Sequence, residues 1–387
     1  MKRLFYTIIV VLLSLPNLQG QDSSALELAF QEARTLTSSY RFDEALLLYN
    51  DVYNAHPQNL RLLLQMGYCH QQMGRYPDAK LFYGEALKVD SLNTKALSAV
   101  GSIYEQERNY RLAKQYFNQL TGIDSTNAYY YKRLGKLSLQ TNQALPALAY
   151  YLKAHELNGA DIAVITRLSD LYLAMDQLDG AEQMIRKGLS LDGKNIQLLQ
   201  AQARLHHKRK AHEEVVETVE RTMALGDTSN YYQMLLGVAY LQVDSTDRAI
   251  QHLEQIVARK KDTEHTHHYL GLAYRNKKDY AQSRLHLEKA IEKGLSPKLG
   301  DYYRELGALY DQQGDWKAAI EQYEQALSYG AGRKVLFQLA RAADQYYRDK
   351  SIAQRYYRRY LDKGGAAYAE YAQQRLEELR EIIHFQK

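Results

Sequence analysis

The sequence predicts an all-α protein assembled from about ten copies of a two-helix unit. Three observations carry this reading. Similar phrases recur 34 residues apart: RYPDAKLFYGEALKVDSLN at 75–93 and NYRLAKQYFNQLTGIDSTN at 109–127. Small residues return at two fixed places of that period. The few prolines avoid every helix interior that the pattern implies.

The leader comes first. MKRLFYTIIVVLLSLPNLQGQD has a charged start at Lys2 and Arg3, an apolar run from Leu4 to Leu15, a break at Pro16 and a small residue, Gly20. These are the parts of a secretory signal, residues 1–20, with cleavage near Gly20 expected. The run is well short of the ~20 residues that a membrane-spanning helix needs. A retained anchor is the rival reading. No Cys follows the run, so a lipid-modified N-terminus is not supported. No second apolar run appears, so no transmembrane span is expected after cleavage. The expected place is the bacterial periplasm or cell envelope. Residues 21–25 read as a short linker.

The repeats follow. A frame opened at Leu26 restarts without a slip at Leu60, Thr94, Ala128, Ile162, Ile196, Asn230 and Glu264. After a two-residue insertion it restarts at Gly300 and Lys334. The predicted units are 26–59, 60–93, 94–127, 128–161, 162–195, 196–229, 230–263, 264–299, 300–333 and 334–365. The eighth place holds Ala33, Gly67, Gly101, Gly135, Ser169, Ala203, Gly237, Gly271, Gly307 and Arg341. The twentieth holds Ala45, Ala79, Ala113, Ala147, Ala181, Val215, Ala249, Ser283, Ala319 and Ala353. Between them large side chains recur, Tyr104 and Tyr172 at the eleventh place and Tyr49, Tyr83, Phe117 and Tyr151 at the twenty-fourth. A small residue on each of two helices lets their axes approach, and large neighbours fill the grooves. Short polar turns such as GRYPD and KKDY join the pair. Pro57 falls between units, Pro77 and Pro146 open second helices, and Pro297 lies in the insertion.

This pattern resembles the tetratricopeptide repeat (TPR) family over about residues 26–365. The resemblance implies an α-solenoid of stacked hairpins wound into a right-handed superhelix, with each unit burying its apolar face against a neighbour. Residues 366–387 read as a C-terminal capping helix with a stripe of Tyr368, Tyr371, Leu376, Leu379 and Ile383. Two units depart from the pattern. The one from Ile196 has Val215 for Ala and a basic run, HHKRK, at 206–210. It reads as a joint between two halves or as a drifted repeat that packs continuously. The one from Lys334 has Arg341 where a small residue is expected.

Composition narrows the function. The formal charge is +5, of which Lys2 and Arg3 supply two. That is too mild to imply a nucleic-acid partner. Cys69 stands alone, so no internal disulfide can form, and it reads as a buried small hydrophobe. There is no P-loop, no nucleophile elbow and no paired-cysteine motif, so no enzyme and no cofactor is expected. HTHH at 265–268 places His265 and His268 on one helix face, where they could share a cation, and turns His267 inward; no third ligand is evident.

The resemblance implies that first helices line a concave groove with the second, fifth, ninth and twelfth places of the frame. Those places hold Arg61, Tyr68, Lys95, Tyr129, Lys132, Lys136, Arg204, Tyr231, His268, Arg275 and Arg304, with His207 and His265, against fewer acids such as Glu105 and Asp170. Tyr gives rigid contact area with a polar tip, and Arg gives bidentate donors. A groove of this mix suits an extended peptide or a partner's helix, with a bias to acidic ones. The expected function is a non-enzymatic protein-binding scaffold. The alternatives are a glycan or cell-wall binder using surface Tyr, and a metal binder using His265 and His268. The Lys–Asn arrangement that some family members use to clamp a C-terminal carboxylate is not visible.

Overall fold

The structure, a computed structural model, describes residues 18–294 and 297–385, with side chains for 27–294 and 297–384. Residues 1–17, most of the expected leader, lie outside the described residues. Helix α1 (Leu18–Ser38) runs straight through residues 21–25, which the sequence reading set aside as a linker. SSALELAF contains no breaker and is rich in good helix formers, so nothing stops the helix there.

The described residues are helical throughout, with no strands. They divide into two compact units, one ending at Asp192 and one beginning at Gly193. The division falls just before the repeat whose sequence departs at Val215. The first unit holds five hairpins: α1–α2 (Phe42–Ala55), α3 (Leu60–Gln72)–α4 (Tyr76–Val89), α5 (Thr94–Gln106)–α6 (Tyr110–Ile123), α7 (Ala128–Gln140)–α8 (Ala144–Leu157) and α9 (Ile162–Ala174)–α10 (Leu178–Leu191). The second holds α11 (Ile196–Lys208)–α12 (His212–Ala224), α13 (Asn230–Gln242)–α14 (Thr246–Ala258), α15 (Glu264–Asn276)–α16 (Tyr280–Lys293), α17 (Leu299–Gln313)–α18 (Trp316–Ser328) and α19 (Arg333–Tyr346)–α20 (Lys350–Asp362). Helix α21 (Ala369–Phe385) packs against α20. Each unit is an α-solenoid in which a hairpin packs on the next.

Side-chain caps start six of the first helices. The last place of the frame holds Asn59, Asn93, Asn127, Asp161 and Asn195. The Asn59 side chain accepts a hydrogen bond from the Leu62 amide, Asn93 from Ala96, Asn127 from Tyr129, Asp161 from Val164 and Asn195 from Leu198. Each satisfies an N–H that the first turn leaves without a partner. Thr263 closes a capping box with Thr266. The turn inside each hairpin but the last passes through one left-handed residue at the fifteenth place, with φ between 55° and 76° at Tyr40, Gly74, Arg108, Asn142, Asp176, Lys210, Asp244, Lys278 and Gly314. Only two of these are Gly, so most turns carry the cost of a side chain in that region.

Packing within a hairpin is tight where the sequence placed small residues. A Cβ added to Gly67 would sit 2.8 Å from the Tyr83 ring, and one added to Gly135 2.9 Å from Tyr151. At Gly237 and Gly271 it would lie 2.7 Å from Leu253 and Leu287. The aromatic or leucine of the second helix therefore rests on bare backbone of the first, and both are buried. Cys69 is fully buried and free, within 3.5 Å of the Thr37 hydroxyl.

The last hairpin and the helix after it differ from two expectations of the sequence. Helix α19 begins at Arg333, one residue ahead of the frame, so the fully buried Ala340 takes the small-residue place and Arg341 is exposed. The stripe on α21 is Ala372, Leu376 and Leu379 with Ile382 packed beside them, not Ile383. Tyr368 and Tyr371 stay largely exposed and meet Phe337 instead, Tyr368 stacked at 4.4 Å and Tyr371 edge-on at 5.6 Å. Arg375 ties the helix down with two bonds to the buried Asp344 carboxylate, at 2.7 and 3.2 Å.

Candidate binding groove of the first unit

Helices α3, α5 and α7 leave the second, fifth, sixth, ninth and twelfth places of the repeat at least partly exposed. Two clefts open along this face. The smaller, about 630 Å³, lies across α3, α5 and α7. It is lined by Tyr68, Tyr83, Tyr129 and Tyr130 with the amides Gln65, Gln71 and Asn127, and by Lys95. The Tyr83 hydroxyl donates to Gln71 Oε1 at 3.0 Å, which fixes that rim. The larger, about 930 Å³, lies across α5, α7 and α9. Ser102 on α5 lines both, so the clefts adjoin.

Glu105 is the centre of the larger cleft. Its carboxylate accepts from the Arg133 guanidinium and pairs with Lys136 Nζ at 2.8 Å. Burial works to raise its pKa, but the hydrogen bonds from Lys136 and Arg133 overcome this and hold it below the usual carboxylate range. Arg133 is itself held in place. Its guanidinium lies over the Phe117 ring at 4.6 Å and the Tyr129 ring at 5.5 Å, and it donates to the Tyr129 hydroxyl. Its Nε is buried without a hydrogen-bond partner. Lys132 pairs at 2.8 Å with Asp161, whose carboxylate also caps α9. Arg167 leans toward Asp170 at 3.6 Å and remains more than half exposed, as does Lys136.

The structure therefore brings together five of the residues named from sequence: Tyr68, Lys95 and Tyr129 in the smaller cleft, Lys132 and Lys136 in the larger. Arg61 stands apart, its guanidinium 4.4 Å over the Phe30 ring. In the second unit, Tyr231 meets Tyr232 edge-on at 4.9 Å, and Arg204 lies 3.4 Å from the Gln200 carbonyl. Arg275 and Arg304 share the Glu305 carboxylate, at 2.6 and 2.7 Å. The expected basic lean is thus much reduced, because Lys132, Lys136, Arg275 and Arg304 each meet a carboxylate.

Sequence reasoning passed over Arg133, Arg167 and Glu305. All three occupy the sixth place of their units. A helix turns 3.6 residues at a time, so one face carries both i+3 and i+4 neighbours of the second place, and the sixth belongs with the fifth. Arg and Glu at the sixth place were the available sign.

The histidines of HTHH do not converge on a metal. His265 Nδ1 meets the Tyr302 hydroxyl at 3.0 Å, and His268 packs 4.9 Å from the Tyr302 ring, with burial lowering its pKa to about 4. His267 is buried, as expected, and bonds to His286 and Asp262. Among the described residues no group of three His, Cys, Asp or Glu is arranged to hold a metal ion. Among them, too, no helix is long and apolar enough to cross a membrane.

Profiles of the tetratricopeptide repeat match residues 36–103, 94–127, 162–195 and 262–329, together half of the chain. The chain belongs to the tetratricopeptide repeat family. Superkiller complex protein 3 of Mus musculus is 30% identical over 98 residues, 25% of this chain and 6% of its own length. The TPR chain thus spans a small fraction of that curated relative. Among solved structures it is similar to YrrB, described as a TPR protein with an unusual peptide-binding site, at 17% identity and a TM-score of 0.42 over 51% of this chain and 97% of the other. It is also similar to a chain of the APC/C hetero-tetramer Cut9–Hcn1, at 12% identity and 0.47 over 92% and 96%. A TPR protein from Parabacteroides merdae gives 16% and 0.47 over 65% and 99%. TPR proteins are generally non-enzymatic scaffolds that bind protein or peptide partners, and the TPR fold of this chain supports the role of an interaction scaffold.

Proposed function

We propose that this TPR chain is a non-enzymatic scaffold of the bacterial periplasm or cell envelope that takes an extended peptide segment of a partner in the groove of its first unit. The carrying observation is the pair of adjoining clefts on the first-helix face. The smaller presents Tyr68 and Tyr129, about two-fifths exposed, beside Lys95, and the larger presents the exposed cations Lys136 and Arg167. Large surface aromatics beside charged donors are what binding hot spots are made of. Depth adds to this, because a peptide in a trough loses more water-exposed surface than one on a flat face.

A displayed library of extended peptides panned against the chain should yield ligands. Joint replacement of Tyr129, Lys132 and Lys136 by alanine should weaken them about tenfold or more without loss of helix. Ligands that bind the triple variant equally well would remove the groove assignment. The leader supports the envelope placement. N-terminal sequencing of chain recovered from the periplasm should begin within a few residues of Gln21; a chain retained in the cytoplasm with Met1 intact would overturn that placement.

A further inference from the structure

Resting on the groove reading above, we infer that the occupant is a segment with an apolar or aromatic residue beside a run of Asp and Glu side chains, and that these displace Glu105 from Arg133 and Lys136. The first observation is charge. The larger cleft is lined by Arg108, Lys132, Arg133, Lys136 and Arg167, and by one acid, Glu105. Asp161 and Asp170 neutralise Lys132 and Arg167 in part from beside the cleft, the second at only 3.6 Å. Five cations against these three acids leave a positive surplus, with Arg108 and Arg167 exposed.

The second observation is that the cleft already holds a carboxylate. Glu105 uses one oxygen for Arg133 and the other for Lys136, a two-point grip. The grip is built for that group, since the Phe117 and Tyr129 rings hold the guanidinium in position. A ligand carboxylate offers the same bonds and would gain Arg167 as well. The third observation is the neighbouring cleft. It carries no acid, and its four tyrosines and three amides suit a flat or apolar side chain with backbone polar groups around it. The cations are spread over α7, α9 and the turn after α5. A single terminal carboxylate cannot meet them all, whereas a run of acidic side chains can.

The test is fluorescence anisotropy with the chain from Gln21 and three labelled twelve-residue peptides. One has a tyrosine followed by four glutamates and blocked ends. The second has glutamine for each glutamate. The third is the glutamine peptide with a free C-terminal carboxylate. The glutamate peptide should bind about tenfold or more tighter than the blocked glutamine peptide. Lys136→Glu or Arg167→Glu should remove that advantage, and Glu105→Gln should tighten the glutamate peptide about three- to tenfold. Both charge reversals are at exposed side chains, so they carry the test if Glu105→Gln fails to fold by circular dichroism. Equal binding of the glutamate and blocked glutamine peptides overturns the inference. So does binding of the free-carboxylate peptide alone, and so does a folded Glu105→Gln chain with unchanged affinity. If the glutamine peptide binds and Tyr129→Ala weakens it, the groove reading stands while this inference falls. If library ligands bind with no sensitivity to Tyr129→Ala, the groove reading falls with it.

Discussion

Phe117→Ala is expected to lower the stability of the first unit by about 3–5 kcal/mol, the usual cost of emptying a buried aromatic site. Phe117 is fully buried on α6, where its ring lies against the backbone of Gly101. A Cβ at Gly101 would come within 3.1 Å of that ring, so no larger neighbour stands ready to fill the space. The same ring packs with Leu97, Leu120, Leu134 and Leu137, which come from three successive helices. Loss of the ring therefore loosens one hairpin and its contact with the next, and hydrogen exchange should quicken across α5–α7 first. There is a functional consequence too. Arg133 lies over Phe117 at 4.6 Å, so the variant should also blunt the grip on carboxylates. Urea denaturation with amide exchange measures the first effect. A destabilisation under about 1 kcal/mol would show that the site collapses around the alanine, contrary to the rigid backing that Gly101 implies.

Acid should weaken the second unit between about pH 6.5 and pH 4, by an amount on the order of 2–3 kcal/mol from one buried histidine pair. His267 Nδ1 and His286 Nδ1 lie 2.9 Å apart, and His267 Nε2 lies 2.9 Å from Asp262 Oδ2. One neutral arrangement satisfies all of these. His267 Nε2–H donates to Asp262, and His286 Nδ1–H donates to His267 Nδ1. A further proton on His267 would set N–H against N–H. Burial lowers the pKa of His286 to about 4, and the charges of His267 and Lys289 push the same way. Burial also lowers His267, though Asp262 pulls against it. Asp262 stays ionised through this window, held low by Lys293 and His267 against its burial. Tyr274 stacks on His286 at 5.5 Å and shields it.

The sign follows from proton uptake. A histidine in the unfolded chain takes its proton near pH 6.5, while the folded hairpin refuses it until about pH 4. Between those values unfolding takes up protons, so stability is full above about 6.5 and falls as the pH drops. Joint replacement of His267 and His286 by leucine should flatten this limb in proportion. His268, also held near 4, leaves a residue of it. Thermal melts across the window decide the matter: a wild-type profile no steeper than that of the double variant would contradict the arrangement.

How much of this was legible beforehand depends on what carried the information. The hairpins were written in local pattern. Gly67, Gly101 and Gly135 sit opposite Tyr83, Phe117 and Tyr151 because each backbone must bare itself to a ring, and a fixed period records that need. The caps are equally local, since Asn59, Asn93, Asn127 and Asp161 recur at one place of the frame, each beside the amide it satisfies. The slip at Ala340 was hidden because Ala353 kept the frame in the second helix while α19 itself carries one residue more than the earlier first helices such as α3 and α5.

The groove was half visible. Helical spacing placed Tyr68, Tyr129, Lys132 and Lys136 on one face, but charge on a face is not charge that is free. Glu105 binds Arg133 and Lys136 from 28 and 31 positions away, across a repeat boundary. Periodicity within one repeat has no means of expressing such a pair.

By itself, then, the sequence determined the helices, their pairing into hairpins and the residues each hairpin buries, because those depend on contacts within a few turns of chain. Which cations remain available, where the clefts open and how His267 finds His286 were decided by the tertiary structure alone. These depend on distances between side chains of different helices, and a hydrogen bond or ion pair is made or lost within about an ångström.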